Sequence, residues 1–344
     1  MSANTTESTL DAHEVDPGAH LLQVEDLYVE FHTRDGVAKV LNGVSYHVEA
    51  GETLAVLGES GSGKSVTAQT IMGILDMPPG VIKGGSIKFH GEELLTANPK
   101  RRRELRASGI AMIFQDALSA LNPVFTVGFQ IEEQLRLRRG MSRKDARKRA
   151  IELLDQVKIP NAKGRVRQYP HEFSGGMRQR AMIAMSLALD PEMLIADEPT
   201  TALDVTVQAQ IMDLLKEIQV ERNMGLILIT HDLGVVAEVA DRIAVMYAGR
   251  IVEQSDAPSL YRKPGHPYTK GLLESLPRLD QRGQELMTIK GLPPSLLKIP
   301  SGCPFHPRCP MVQDVCKTDV PEQHRLVPGR MSACHFAEEL IAGE

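Results

Sequence analysis

The sequence lacks an apolar run of about twenty residues, the length that a membrane-spanning helix needs, so no helix is expected to cross a bilayer. It also lacks an excess of basic charge, because 39 Lys and Arg residues stand against 44 Asp and Glu residues. This balance offers no broad basic face for duplex nucleic acid, so DNA binding is not expected. The start, MSANTTESTLDAHEVDPG, lacks the pattern of a secretory signal, which predicts a cytoplasmic protein.

Cysteine is scarce, and its four copies are clustered at one end: Cys303, Cys309, Cys316 and Cys334. Cytoplasmic thiols stay reduced, so this cluster indicates a metal or redox site more readily than disulfides. The intervening stretches of five, six and seventeen residues lack the short paired spacing usual for structural zinc, although zinc stays an alternative. Four thiolates can also hold a [4Fe-4S] cluster, and four unligated thiols in a small core are a third alternative.

The length of 344 residues, with 42% hydrophobic content, allows a main domain and an appendage. Short apolar segments such as TLAVLG, MLIAD and GLILIT predict buried strands, and KSVTAQTIMGIL predicts a helix between them. This order implies a mostly parallel α/β core. The predicted organisation is a flexible tail over 1–20, a main domain over 21–255 with a helical subdomain over about 105–190, and a loop-rich appendage over 256–344 that contains the cysteines.

The segment GESGSGKS, from Gly58 to Ser65, has the spacing of a phosphate-binding loop between a predicted strand and a predicted helix. Its glycines let backbone amides curl around phosphate oxygens, Lys64 supplies positive charge, and Ser65 can bind Mg²⁺. The alternative is a glycine-rich turn without a ligand. The residues expected to contact nucleotide here are Gly58, Ser60, Gly61, Ser62, Gly63, Lys64 and Ser65.

Two acidic residues follow a predicted strand in MLIADEP, where ligands collect in open α/β sheets. Asp197 would steady Mg²⁺ through water, and Glu198 would polarise the water that attacks the γ phosphate. An ordinary acidic pair at the end of a strand is the alternative.

The segment HEFSGGMRQR places a Ser-Gly-Gly element at the start of a predicted helix, where a hydroxyl, amides and the helix dipole can bind phosphate. With this element the sequence resembles the nucleotide-binding subunits of ATP-binding cassette (ABC) transporters. The resemblance implies an α/β ABC ATPase cassette, with a phosphate-loop core sheet and a helical subdomain, followed by the cysteine appendage. It also implies that Ser174, Gly175 and Gly176 close on ATP held by a partner's phosphate loop, although Met177 stands where many members have Gln.

The resemblance extends to further positions in the family's order. Gln115, in MIFQDALSALNP, matches the loop that senses the γ phosphate and Mg²⁺, and His231, in LILITHDL, matches the switch histidine that bonds the γ phosphate. Asp204, in TALDV, matches the dimer-interface loop, and Phe31 lies where an aromatic residue usually stacks on adenine. The implied catalytic residues are Glu198, His231 and Lys64, and the implied Mg²⁺ residues are Ser65, Gln115 and Asp197.

Three segments resemble the oligopeptide and dipeptide import subgroup: FSGGMRQRAMIAMSLAL, GHPYTKGLLESLP and GLPPSLLKIPSGCPFHPRCP. One departure is Ala117, where relatives tend to carry Pro. The resemblance implies an ATP-hydrolysing subunit of a peptide importer, peripheral on the cytoplasmic face of the cell membrane and driven by ATP-dependent dimerisation of cassettes. The implied partners are two transmembrane permease subunits, a second paralogous ATPase subunit and, indirectly, an extracytoplasmic solute-binding protein. The subgroup's cysteine tail is similar to an iron–sulfur site, which favours [4Fe-4S] over zinc.

Three other functions stay open. A soluble ABC ATPase acting on DNA or ribosomes would use the same ATP chemistry, but the sequence shows one cassette, no long coiled coil before Asp197 and no basic tail. An importer of a non-peptide solute such as nickel would share these motifs, because selectivity would reside in other subunits. A redox-sensing regulator would use the cysteine tail as its input.

Overall fold

The computed structural model describes residues 20–116, 120–201, 203–275 and 288–342. The predicted flexible tail lies outside the described residues except for His20, and so does Ala117. Within the described ranges, no helix has both the length and the apolar character required to cross a membrane.

The strands form two sheets, a small antiparallel sheet in the order β2-β1-β4-β5 and a main sheet in the order β11-β12-β10-β9-β3-β8-β7-β6. The strands are β1 (Leu22–Thr33), β2 (Gly36–Val48), β3 (Thr53–Leu57), β4 (Gly80–Phe89), β5 (Glu92–Glu93), β6 (Ile110–Ile113), β7 (Met193–Asp197), β8 (Gly225–Ile229), β9 (Arg242–Tyr247), β10 (Arg250–Asp256), β11 (His324–Val327) and β12 (Arg330–Ser332).

Several helices lie in the chain segment between β6 and β7. The helices are α1 (Lys64–Met72), α2 (Pro99–Ser108), α3 (Val127–Arg139), α4 (Arg143–Gln156), α5 (Ala162–Arg165), α6 (Gly175–Ser186), α7 (Val205–Arg222), α8 (Leu233–Val239), α9 (Ala257–Arg262), α10 (Pro267–Glu274), α11 (Asp314–Thr318) and α12 (Ala337–Ala342).

Strands β9, β3, β8, β7 and β6 are parallel neighbours, so the predicted mostly parallel core is confirmed. All residues of β3, β7 and β8 are buried. Side chains alternate between the two faces of a strand, and β3 shows this directly. Leu54 and Val56 join the core beneath the small sheet, whereas Ala55 and Leu57 join the core beneath the helices.

The range predicted as helical, about 105–190, contains helices α3 to α6 and also the strand β6. This strand pairs in parallel with β7, from Ile110 opposite Met193 to Ile113 opposite Ala196. The helical segment therefore leaves the main sheet after β6 and returns to it at β7.

The appendage is built onto the main sheet. Strand β12 pairs with β10, with Ser332 opposite Glu253. Tyr268, Leu273 and Phe305 belong to the same core cluster as the helices that cover the sheet. The segment after residue 255 thus shares its hydrophobic core with the cassette.

Candidate functional site

The phosphate loop connects β3 to α1, and two of its positions require glycine. Gly58 and Gly63 have φ angles of 150° and 107°, which L side chains rarely adopt. A Cβ on Gly58 would lie 2.2 Å from the carbonyl oxygen of Met246, and one on Gly63 would lie 2.8 Å from Leu41 Cδ2. The tight packing of β2 and β9 around the loop therefore fixes its shape.

Lys64 folds back over the phosphate loop. Its Nζ donates to the carbonyl oxygens of Gly58 and Glu59, at 2.7 and 3.0 Å. Burial lowers the pKa of Lys64, and the carboxylates of Glu198, Asp197 and Glu59 oppose this change. The ammonium group is thus held inside the curl of the loop.

The outer part of the loop leaves room for a ligand. Ser60 and Gly61 are exposed, and a Cβ built on Gly61 would meet no atom within 4 Å. The buried hydroxyl of Ser62 has no hydrogen-bond partner among the described residues. Open space beside backbone amides and an unsatisfied donor is what a bound phosphate requires.

Ser65 and Asp197 lie side by side, although they follow different strands of the sheet. The Ser65 hydroxyl donates to Asp197 Oδ1 at 3.1 Å. Burial raises the pKa of Asp197, while the hydrogen bond from Ser65 lowers it. The pair presents two hard oxygen atoms beside the phosphate loop, which suits Mg²⁺.

Glu198 follows β7 in a left-handed conformation with φ 47°, and its N–H donates to the Ile229 carbonyl at 2.8 Å. Three side chains surround its carboxylate. Gln115 Nε2 and the Thr201 hydroxyl donate to Oε2 at 2.8 and 2.9 Å. His231 Nδ1 lies 3.5 Å from Oε1. The carboxylate is therefore oriented from the loops after β6, β7 and β8.

The sheet topology explains this meeting. The order β3-β8-β7-β6 makes these strands parallel neighbours, so their carboxyl ends share one edge. Lys64, His231, Glu198 and Gln115 each follow one of these strands. The structure thus brings together residues that the sequence spreads over more than a hundred positions.

The Ser-Gly-Gly element starts α6 as predicted. Ser174 is the N-cap residue, and its Oγ accepts from the N–H of Met177 at 3.4 Å. A Cβ on Gly176 would lie 2.7 Å from Val207 Cγ1, and one on Gly175 would lie 3.5 Å from Leu203.

Asp204 caps the neighbouring helix α7, because its Oδ1 accepts from the N–H of Val207 at 2.9 Å. The Ser-Gly-Gly element and this loop therefore lie side by side. None of the hydrogen bonds found in the described residues joins Ser174 to the phosphate loop of the same chain.

Phe31 lies on β1 opposite Ala38 and packs, partly buried, on the core beneath the small sheet. The next part of β2 passes the phosphate loop, since a Cβ on Gly63 would lie 2.9 Å from the Val40 carbonyl oxygen. The β1–β2 hairpin therefore borders the loop, while the contacts of Phe31 itself are with this core.

All four cysteines line one small cavity in the appendage, with a volume of about 20 Å³. Burial raises the pKa of the thiols of Cys309 and Cys334 to about 11 and about 12, and nearby cysteines add to both increases. Burial also raises the pKa of Cys303. Thiols with raised pKa values stay protonated at neutral pH, and a metal must displace the proton before the sulfur can act as a ligand.

The sulfurs of the four cysteines are not spaced as in a tetrahedral zinc site. A Zn–S bond of ~2.3 Å in a tetrahedral site brings four sulfurs to within ~4 Å of one another. In the described residues, His20, His47 and Glu49 are the one group of three or more such ligands within 4.8 Å, so no three of the cysteine sulfurs lie that close together.

The His20, His47 and Glu49 group is a poor metal site. Arg242 Nη1 lies 3.1 Å from Nε2 of His47 and 2.8 Å from Glu52 Oε1. A cation at this position would face a guanidinium charge and would compete with it for the same ring nitrogen.

Sequence reasoning missed three residues at the phosphate loop. Arg308 donates to both carboxylate oxygens of Glu59, at 2.6 and 2.9 Å. The Tyr268 hydroxyl accepts from the N–H of Glu59 at 2.9 Å. No local sequence pattern connects residues so far apart. The one feature that could have drawn attention to Arg308 is its position next to Cys309.

The fold and the site together define an ATP-binding cassette. Residues 41–201 match the ABC transporter family, and residues 252–316 match the C-terminal region of the oligopeptide/dipeptide transporter. The chain is 51% identical to the oligopeptide transport ATP-binding protein OppD of Salmonella typhimurium, over 94% of this chain and 96% of that protein. It is 52% identical to the dipeptide transport ATP-binding protein DppD of Bacillus subtilis, over 88% and 90%.

The structure also resembles the dimeric ATP-binding cassette MJ0796, solved in a post-hydrolysis state bound to ADP and Pi. The TM-score is 0.61 at 27% identity, over 69% of this chain and 98% of that chain. The chain belongs to the family of ATP-binding proteins of oligopeptide and dipeptide ABC transporters.

Proposed function

We propose that this chain hydrolyses ATP to power the import of oligopeptides or dipeptides through partner membrane subunits. The arrangement around Glu198 carries the proposal, because an oriented carboxylate lies beside a phosphate loop and a Ser65–Asp197 pair. The peptide substrate is inferred from the relatives, which are named for oligopeptide and dipeptide transport.

In this proposal the phosphate loop binds the β and γ phosphates through its amides and Lys64, and Phe31 stacks on adenine. Mg²⁺, held by Ser65, Asp197 and Gln115, would neutralise charge on the phosphate oxygens. The adjacent oxygens of Ser65 and Asp197, 3.1 Å apart, support this assignment.

Glu198 acts on the attacking water. The water oxygen forms a bond to the γ phosphorus, the bond from that phosphorus to the β-phosphate oxygen of ADP breaks, and Glu198 accepts the water proton. Gln115, Thr201 and His231 hold the carboxylate, and His231 can also donate to the γ phosphate. Lys64 stabilises the negative charge on the transferred group.

A complete site needs a second cassette. Gly175 and Gly176 lie against Leu203 and Val207, on either side of Asp204 in sequence. Among the described residues no hydrogen bond joins Ser174 to the phosphate loop of the same chain, which supports a role on ATP held by a partner. The partner proposed is a second, paralogous ATPase subunit. Closure of the pair would move two transmembrane permease subunits from the cytoplasmic face of the cell membrane, with an extracytoplasmic binding protein supplying the peptide.

The four cysteines of the appendage are proposed to hold a [4Fe-4S] cluster. The four thiols line one cavity, and no three of their sulfurs lie within 4.8 Å of one another, whereas a tetrahedral zinc site would bring all four to within ~4 Å. This favours a cluster, in which each thiolate binds a different iron, over zinc. The cluster would hold together a segment that is rich in loops. Anaerobic purification followed by iron, sulfide and zinc analysis tests the assignment: about four irons and four sulfides per chain support it, and one zinc without visible colour contradicts it.

Replacement of Glu198 by Gln tests the ATPase mechanism. The change keeps shape and removes the proton acceptor, so the hydrolysis rate of the purified cassettes should fall by about 10²–10⁴-fold. Binding of a fluorescent ATP analogue should persist. Hydrolysis that survives the Glu198→Gln change in both nucleotide sites of a dimer would exclude this role for Glu198.

Co-purification from the native host tests the transport assignment. Two multi-span membrane proteins and a second ATPase in the eluate support the importer. Ribosomes or DNA in their place would contradict it and favour the soluble ATPase.

A further inference from the structure

Two residues of the appendage hold one residue of the phosphate loop. Arg308 binds Glu59 through a two-pronged ion pair, with Nη1 to Oε2 at 2.6 Å and Nη2 to Oε1 at 2.9 Å. Tyr268, from α10, accepts the Glu59 N–H at 2.9 Å. The side chain and the backbone of the same loop residue are therefore both fixed by the appendage. Parallel double hydrogen bonds of this kind are the strongest form of ion pair.

Arg308 itself is held rigidly. Its side chain is only 5% exposed. Nη1 also donates to the Tyr247 hydroxyl at 3.3 Å, and Nε donates to the Lys290 carbonyl at 3.2 Å. An arginine guanidinium stays charged at all ordinary pH values. Its planar fork presents two donors to Glu59 at fixed positions.

Glu59 carries a negative charge in the phosphate loop, where the proposed ATP would add the negative charges of its phosphates. The Glu59 carboxylate opposes the lowering of the Lys64 pKa by burial. The Glu59 carbonyl oxygen accepts a hydrogen bond from Lys64 Nζ at 3.0 Å. Without a counter-charge, this carboxylate would repel the phosphates of ATP and would compete with them for Lys64. Arg308 supplies that counter-charge and directs the carboxylate toward the appendage.

We infer that Arg308 is a positioning residue for ATP binding: it neutralises Glu59 and, with Tyr268, fixes the first residues of the phosphate loop. The appendage is thereby part of the nucleotide site. This inference rests on the proposed binding of ATP by the loop and adds two residues, Tyr268 and Arg308, that lie 209 and 249 positions from Glu59 in sequence.

The test compares R308Q, E59Q and the double variant R308Q/E59Q in the full chain. The dissociation constant of a fluorescent ATP analogue and the kcat and KM for ATP are measured for each. R308Q should raise the dissociation constant and KM about tenfold, because an uncompensated charge then faces the phosphates, while kcat changes less than twofold. The double variant should return to within about threefold of wild type, because the repelling charge is gone.

The matched control is K317Q. Lys317 pairs with Asp314 at 2.8 Å in the same appendage, and both side chains are well exposed. This variant should bind ATP as wild type does. Thermal melting and the reactivity of the four cysteines report whether the appendage stays folded in each variant.

Two results would overturn the inference. One is unchanged ATP affinity in R308Q. The other is a defect that persists in R308Q/E59Q, since a purely structural role of Arg308 would not be rescued by removing the Glu59 charge. If R308Q does not fold, E59Q is the test, because it should bind ATP at least as tightly as wild type. Weaker binding of ATP by E59Q would then overturn the inference. Failure of the wild-type chain to bind ATP would instead overturn the proposed function.

Discussion

Glu198 receives hydrogen bonds from two neutral side chains on the same oxygen, Oε2, and Thr201 is the closer of these in sequence. A bond of this kind contributes about 1 kcal/mol, which corresponds to about a fivefold change in rate if it orients the carboxylate only for catalysis. T201V should therefore lower kcat about fivefold and leave KM for ATP within twofold. Steady-state ATPase assays measure both quantities.

The control for this variant is T33V. Thr33 is exposed in the β1–β2 turn, where its hydroxyl donates to the Gly36 carbonyl at 2.9 Å. Its loss should leave kcat unchanged. A rise in KM without a fall in kcat in T201V would assign Thr201 to nucleotide binding instead of to the orientation of Glu198.

The phosphate loop is the element whose shape depends most on single backbone positions. G63A would place a Cβ 2.8 Å from Leu41 and 2.9 Å from both Met246 and the Val40 carbonyl, at a φ of 107°. The loop must then shift, and we expect ATP affinity to fall at least tenfold. Titration with a fluorescent ATP analogue measures the loss. G84A, at a position where a Cβ meets nothing within 4 Å, should bind ATP normally; equal affinities in the two variants would contradict the prediction.

Strand β2 carries a histidine that should make stability depend on pH. Burial, with Arg242 and His20 nearby, lowers the pKa of His47 from 6.5 to about 4, and Glu49 opposes this. Between pH 6.5 and pH 4, His47 is therefore protonated in the unfolded chain but largely neutral in the folded chain. The free energy of unfolding falls as the pH falls through this window. Above pH 6.5 the contribution is constant.

H47Q removes this titrating group and keeps an oxygen that can accept from Arg242. The drop in Tm between pH 7 and pH 5 should be smaller in H47Q than in wild type. H324Q, which removes an exposed histidine from β11, should keep the wild-type drop. Equal drops in all three proteins would show that His47 titrates normally in the folded chain.

Elements with a strong local pattern could be predicted from the sequence. Strands β3, β7 and β8 and helix α1 match the predicted segments, because buried parallel strands read as continuous apolar runs next to a glycine-rich loop. Strand β6, with four residues, is too short to stand out inside a helix-rich range. The exposed strand β11 carries no apolar pattern, and only its pairing with β12 defines it.

At the scale of the whole molecule, composition predicted a loop-rich appendage but did not predict that this segment shares a hydrophobic core with the cassette. Tyr247, on β9, packs against Tyr268 and Phe305 with ring centroids 4.6 and 5.3 Å away. Contacts of this kind join residues far apart in sequence, so no local pattern predicts them. The same holds for the ion pair between Glu59 and Arg308, which depends on the packing of α10 and the cysteine segment over the phosphate loop.

F305A tests whether cassette and appendage unfold as one unit. Phe305 is 2% exposed, and its ring also lies 5.4 Å from that of Tyr268, which holds the Glu59 backbone. Removing a buried aromatic side chain costs about 3–5 kcal/mol, so Tm should fall by several degrees in a single transition, and ATP affinity should fall with it. Differential scanning calorimetry and ATP titration measure both effects. L292A, which truncates an 88% exposed side chain of the same appendage, should change neither. The contradicting result would be two separate transitions in F305A, with the larger one at the wild-type temperature, together with unchanged ATP binding. The cassette would then be stable without the packing of the appendage. In that case the position of the phosphate loop would not depend on Tyr268 and Arg308.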